Sequence, residues 1–250
     1  MKRQLLTKGG LYRLLSNLQA TVGDFLTVYA EPTGFPAYIV GLSVEPKYSR
    51  YADEIRDAVS TGAIIQGAQK YGTGGAIFWG EAGDKLVVLP PFPITKSKVI
   101  TGELDTSVLS EVMERRYVIG VLLVAWGSYA VGLFDDDNLV ESKTGTGFIH
   151  KEHRKGGRSE KRFARRTEEQ KKDFLRRVSH RIEERLGDSN LDYIFFGGNR
   201  LITKPLLQEC KYLRSEAHKI SPRVLDIRYA DKEALFNSLV EITKSLVFTF

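Results

Sequence analysis

The chain has few of the residues from which a chemistry can be read directly. One of its 250 residues is cysteine, Cys210, so no disulfide can form within it, which fits a reducing compartment. Cys210 is also a poor candidate nucleophile, because LLQECKYL reads as an amphipathic helix in which a lone cysteine serves packing. No stretch approaches the roughly 18 to 20 consecutive apolar residues that a membrane helix needs. The opening MKRQLLTKGGLYRLL lacks an apolar segment followed by a small-residue cleavage site, so the expected location is the cytosol, without a membrane partner. YGTGGAIFWG has glycines but not the Lys-Ser/Thr that completes a phosphate-binding P-loop, and it reads as a turn at a strand edge. His150 and His153 have helix-like spacing but no cysteine to complete a zinc site, and Asp135, Asp136 and Asp137 fall where a hairpin needs a solvated turn. No metal and no small-molecule cofactor is therefore expected. Internal repeats and low-complexity linkers are absent as well.

Apolar residues make up 42% of the chain and charged residues 27%, the balance of a globular protein, and the length allows one large domain or two modest ones. The charge is unevenly spread. From Lys151 to Gly187, Lys and Arg outnumber Asp and Glu 14 to 7, a net +7 against +6 (37 minus 31) for the whole chain, so the remainder is nearly neutral. A localised stripe of this kind is the electrostatic footprint of a protein that meets a phosphate backbone. Charge alone would fit a solvated helix face equally well.

Two units are expected. In the first, helical spacing of Leu5, Leu6, Leu11, Leu14, Leu15 and Leu18 predicts an amphipathic opening, broken near EPTGFPAYIV. ADEIRDAVSTGAIIQGAQKY predicts a further helical region, and GGAIFWG and DKLVVLPPFPI two strands joined by EAGD. The polar stretch SKVITGELDTS marks a boundary, giving an N-terminal α+β domain over residues 1–105 and a second domain over 112–250. There YVIGVLLVA and SYAVGLF predict a hairpin about Trp126 and Gly127, and NLVESKTGTGFIH a third strand. A helix is predicted from about Glu160 to Leu186, with Ser159 as N-cap, Gly187 as stop and Phe163, Phe174, Val178, Ile182 and Leu186 as its apolar stripe. LDYIFFGG, PLLQECKYL, RVLDIRYA and KEALFNSLVEITKSL follow as strand, helix, strand and helix, so the fold class is α/β, a mixed sheet covered by helices.

The segment HRKGGRSEKRFARR joins the third strand to the long helix. Gly156 and Gly157 admit positive φ and let the backbone approach a ligand without Cβ interference. His153, Arg154, Lys155, Arg158, Lys161, Arg162, Arg165 and Arg166 surround them with donors, and Lys172 and Arg176 continue the basic face away from the apolar stripe. The combination suits a tip that enters a phosphate-rich cavity while the helix behind it follows a nucleic-acid backbone. A surface loop with ordinary charged neighbours is the plainer reading.

HRKGGRSEKRFARRTEEQ resembles the GGQ region of the middle domain of eukaryotic and archaeal peptide-chain release factors, where two glycines, a glutamine and a serine precede an RFAR helix. GVLLVAWGSYAVGLF resembles the opening hairpin of that domain, and LDYIFFGGNRLITKPLL and RVLDIRYADKEALFNSLVEITKSL its later segments, so the resemblance covers about residues 115–250. It does not extend to residues 1–105, where no stop-codon-reading motif is found. Such a chain is similar to the Vms-like release factors, which implies a peptidyl-tRNA hydrolase acting on the large ribosomal subunit, with rRNA and peptidyl-tRNA as partners. Gly156, Gly157, Arg158 and Ser159 would then be the catalytic tip, and the surrounding cations would bind RNA. The sequence departs from the pattern at one point: the glutamine's position is Arg158, or Ser159 in the Vms-like spacing. Arginine offers five donors and no acceptor, so it can stabilise an oxyanion but cannot take a proton from water. A second reading is therefore a non-catalytic, Pelota-like binder of stalled ribosomes.

Overall fold

The computed structural model describes residues 1–21, 23–81, 85–149 and 158–250, with the side chains of the long helix from Arg162 onward. The chain divides into two compact units, residues 1–115 with 242–250, and residues 116–241. Among the described residues no helix is long and apolar enough to cross a membrane.

The first unit runs β1 (Lys2–Leu6), α1 (Lys8–Gln19), β2 (Leu26–Ala30), α2 (Ala37–Val40), α3 (Ser49–Val59), α4 (Gly62–Tyr71), β3 (Gly75–Trp79), β4 (Lys85–Leu89), β5 (Lys98–Thr101) and α5 (Ser107–Glu114). The opening leucines thus divide. Leu5 and Leu6 lie in β1, while Leu11, Leu15 and Leu18 form the buried face of α1, started by the Thr7 hydroxyl accepting from the Gly10 N–H. β3 and β4 pair antiparallel as the sequence predicts, with Ala76 opposite Val88. β2 and β5 do not appear in the sequence reading; β5 lies within the polar stretch taken for a boundary. Val28, Ile77 and Val87 pack with Ile55 and Val59 of α3 and Ile64 and Tyr71 of α4. On the other face of β2 and β3, Tyr29 and Phe78 meet edge to face at 6.0 Å and are equally buried.

In the second unit β6 (Val118–Ala125), β7 (Ser128–Asp135) and β8 (Asn138–Thr146) form an antiparallel meander, and β9 (Tyr193–Gly198) joins β6 in parallel. The sheet is therefore mixed, in the order β8-β7-β6-β9. Asp136 takes the left-handed conformation (φ 56°) in the β7–β8 turn, which short polar side chains tolerate, and Asp135 is clasped by Arg116 at 2.8 and 2.5 Å. α6 (Arg158–Leu186), α7 (Arg200–Glu209), α8 (Lys211–Ser215) and α9 (Lys232–Ile242) complete the unit. α7 starts ahead of the predicted helix, because the Asn199 side chain caps it by accepting from the Leu201 N–H, and Pro205 lies inside it. Cys210 is wholly buried at the α7–α8 junction and belongs to the core that contains Leu122, Val131, Phe174, Val178, Ile182 and Leu206.

Two predicted elements differ. RVLDIRYA forms no strand: it runs as irregular chain beside β9, where the Leu225 N–H donates to the Phe196 carbonyl at 2.7 Å and the Gly198 N–H to the Ile227 carbonyl at 2.7 Å. The last helix ends at Ile242, and the chain continues as β10 (Ser245–Thr249), between β1 and β4 in the first unit's sheet, whose order is β1-β10-β4-β3-β2-β5. Val247 and Phe248 of SLVFT, β-branched and aromatic and both wholly buried, outweigh the continuation of the helical pattern.

In the first unit Glu54 accepts from Lys85 Nζ at 2.7 Å, Trp79 Nε1 at 2.9 Å and Arg50 Nε at 3.1 Å. The hydrogen bond from Lys85, then that from Trp79, hold its carboxyl down at about 2 against an ordinary 4.5. A depressed carboxyl stabilises the fold fully above its unfolded value and loses that contribution as pH falls through its folded one. The stability of the first unit, followed through the Trp79 indole N–H resonance on heating, is expected to fall between pH 4.5 and 2. Glu54→Gln should lower stability at pH 6 and flatten that acid limb; an unchanged limb would remove Glu54 as its cause.

Candidate nucleic-acid interface

α6 is 29 residues long, roughly 43 Å at helical rise. Its sequence supports only part of that length with a core. Phe174, Val178, Ile182 and Leu186 recur at four-residue spacing and are at most 1% exposed. Phe174 packs against Trp126 at 6.1 Å and Tyr129 at 6.2 Å, and Lys171 Nζ lies 5.6 Å above the Trp126 ring. Trp126 stands in the β6–β7 turn, so Lys171 lies over one end of the sheet and the first turns of α6 run beyond it. The Gly187 N–H donates to the Glu183 carbonyl at 3.0 Å, closing the helix where the sequence places its stop.

From Arg162 to Arg166 every residue is exposed, and cover begins with Thr167, which is buried. Phe163 belongs to this section. The sequence reading puts it in the apolar stripe, and it does share the angular position of Phe174, but it is 50% exposed because no sheet lies beneath it. Ser159 differs in position too: α6 begins at Arg158, so Ser159 is the second residue of the helix and not the one before it. Gly156, Gly157, His153, Arg154 and Lys155 lie outside the described residues, as do the side chains of Arg158, Ser159 and Lys161.

The exposed cations are not equivalent. Arg165 Nε pairs with Glu169 at 3.1 Å, and Arg176 with Asp173 at 3.1 Å and Glu209 at 3.8 Å. Arg162, Arg166 and Lys172 have no ion pair among the described residues, although all are exposed. Positive side chains around the N-terminal turns add to the helix dipole instead of opposing it, an arrangement that favours an anion from outside. Among the described residues the surface thus offers what a polyanion needs: an exposed helix end and guanidinium groups with no carboxylate partner. The sequence reading finds Arg162 and Arg166 but passes over Arg177, three turns further along the same face, which also has no ion pair among the described residues.

Residues 117–246 match the family described as Actinobacteria/chloroflexi VLRF1 release factor. That is more than half of the chain. The chain belongs to this release-factor family. The matched region contains the sheet of the second unit and the whole of α6. The peptide chain release factor subunit 1 of Thermoplasma acidophilum is 23% identical over 163 residues, 64% of this chain but only 39% of that protein. Among solved structures, that of the archaeal translation termination factor aRF1 covers 95% of this chain and 70% of its own, at 19% identity and a TM-score of 0.41. The Vms1 mitochondrial localization core covers 87% and 89%, at 12% identity and a TM-score of 0.41.

The two halves of α6 should respond differently to truncation. Ile182→Ala is expected to destabilise the second unit by about 2–5 kcal/mol, since it empties a packed site. Phe163→Ala should stay within about 0.5 kcal/mol, as surface changes do. Urea unfolding of the two variants measures both, and a large loss for Phe163→Ala would show that its ring is covered.

Proposed function

We propose that this release-factor-family protein is a ribosome-associated peptidyl-tRNA hydrolase, freeing nascent peptides on stalled large subunits without codon recognition. The observation that supports this is the stretch Arg162–Arg166 of α6, exposed at every position, which follows a glycine pair in the sequence of a chain of this family. In this reading Arg162 and Arg166, unpaired, hold rRNA or tRNA phosphates, with Arg165, Lys172 and Arg176 as secondary contacts. The tip of Gly156, Gly157, Arg158 and Ser159 reaches the ester joining peptide to tRNA.

The reaction adds water to the ester carbonyl and divides the product into a peptide carboxylic acid and a tRNA ribose hydroxyl. Negative charge develops on the carbonyl oxygen and then on the leaving ribose oxygen. Arg158 can donate to either, a role in which fixed donors act most strongly on the transition state. It cannot accept the water's proton, so water is oriented by the Ser159 hydroxyl, by backbone carbonyls or by the RNA itself. That same lack of an acceptor supports a second reading, a Pelota-like factor that binds stalled complexes and leaves the ester intact.

The test uses large subunits carrying labelled peptidyl-tRNA, with no stop codon. The protein is expected to release peptide, with Arg158→Ala slowing release about 100-fold while binding changes only a few-fold. Gly157→Ala should slow it as well, because a Cβ obstructs the close approach. Reversing charge at Arg162 and Arg166 together should abolish co-sedimentation with large subunits at physiological salt. An ester left intact at saturating protein overturns the hydrolase reading and leaves the binder.

A further inference from the structure

On the flank of α6 where β8 ends, Tyr129, Thr146, Arg176, Arg177, His180 and Arg181 line a cavity of about 530 Å³. Among the described residues no carboxylate lines it. The acids nearby are engaged by other cations: Asp173 and Glu209 with Arg176, and Glu184 with Arg181 and Arg185. Arg177 and His180 are exposed and have no ion pair among the described residues. Among the described residues Arg177 therefore has no carboxylate partner, and the acid that His180 meets, Glu184, is already held by Arg181 and Arg185.

The cavity is shaped by what the strand lacks. Gly145 is the cross-strand partner of Tyr129, and a Cβ there would come within 2.4 Å of the tyrosine oxygen. A Cβ on Gly147 would come within 2.6 Å of Arg177 Nη2 and 2.9 Å of Phe174 Cδ2. The alternating glycines of KTGTG thus let the tyrosine ring and the Arg177 guanidinium lie directly on the strand. Arg181 is held by Glu184 and by the Tyr129 hydroxyl, which keeps that wall in place.

Arg177 also continues a line. Arg162, Arg166 and Arg177 fall on one face of α6, with Arg177 eleven residues and three turns beyond Arg166, roughly 16 Å away. The acids lying between them, Glu169 and Asp173, are paired with Arg165 and Arg176. The unpaired guanidiniums therefore form one row, and the cavity sits at its far end, beside the strand that leads into the glycine tip.

From this geometry we infer that the cavity is a second phosphate seat, in which Arg177 and His180, with the Thr146 hydroxyl, hold a backbone phosphate of the RNA strand whose other phosphates meet Arg162 and Arg166. The inference rests on the RNA-binding reading above and extends it to residues that reading does not use. A phosphate fixed here would set the direction of the RNA along α6 and so the angle at which the tip is presented.

Binding of the full chain to large subunits is measured between 50 and 200 mM salt, alongside circular dichroism of each variant. Removing one phosphate contact should lower the logarithmic salt slope by about 1, so Arg177→Gln should shrink the fall in affinity over that range about 4-fold. Arg177→Lys should keep the slope. Gly147→Ala, which displaces the guanidinium, should match Arg177→Gln, and His180→Gln gives a surface variant independent of the strand. If reversal at Arg162 and Arg166 weakens binding while Arg177→Gln and His180→Gln leave the slope unchanged, the seat is refuted and the RNA reading stands. If none of these variants alters binding, both fall. Calorimetry with inorganic phosphate alone separates the remaining source: saturable binding lost in Arg177→Gln without a change in the RNA slope would assign the cavity to a free anion and overturn the proposal.

Discussion

The arrangement of the second unit depends on α6 being fastened along part of its length only. Phe174, Val178, Ile182 and Leu186 press one stripe of the helix onto the sheet, and at Trp126 the sheet ends. Each of these apolar side chains contributes on the order of 1.5–3 kcal/mol by leaving water, enough to hold the helix end beyond Lys171 as a continuation of the packed half. From Arg162 to Arg166 the described side chains are exposed, and the Arg165–Glu169 pair there is worth about 0.3–0.5 kcal/mol. The basic end is therefore placed by packing that occurs elsewhere, and its own side chains are free to be chosen for a partner. A helix carrying cations near its positive end is held against its own electrostatics, and a polyanion relieves that repulsion.

Much of this was legible because the relevant patterns are local. The four-residue spacing in α6, the alternation of β6 and β7, and the concentration of positive charge between Lys151 and Gly187 are each visible within a short window. Elements whose identity depends on distant partners were not. β10 becomes a strand because β1 and β4 lie on either side of it, and RVLDIRYA fails to become one although it follows β9 with two backbone hydrogen bonds. Phe163 shows the same limit within one helix. Its periodicity is correct, but periodicity describes which face a residue is on and not where the covering layer stops.

At the site, residue types were readable and pairing was not. Arg162, Arg165, Arg166 and Arg176 look alike in sequence, yet Arg165 and Arg176 are tied to carboxylates and the other two are not. Arg177 and His180 gave no signal alone. Their signal lay a strand away, in the glycines of KTGTG, which mean little until the structure shows a tyrosine ring and a guanidinium occupying the space that side chains would have filled.

On the hydrolase reading, an arginine standing where the release-factor pattern has glutamine bears on how the work is divided. An amide can both donate and accept, so one side chain can orient water and bind the leaving oxygen; a guanidinium only donates. A tip ending in Arg158 keeps the charge-stabilising half of that pair, with a full positive charge in place of a dipole, and gives up the accepting half. In a site walled by phosphates a permanent cation is also attracted to many wrong positions, so its placement must come from contacts further back. A row of unpaired guanidiniums along a rigid helix supplies that placement at several points over roughly 20 Å, more than one residue at the tip can do. On the hydrolase reading, the loss of the amide and the extended basic row are parts of one solution, in which RNA contacts fix the geometry and Arg158 is left to meet the charge.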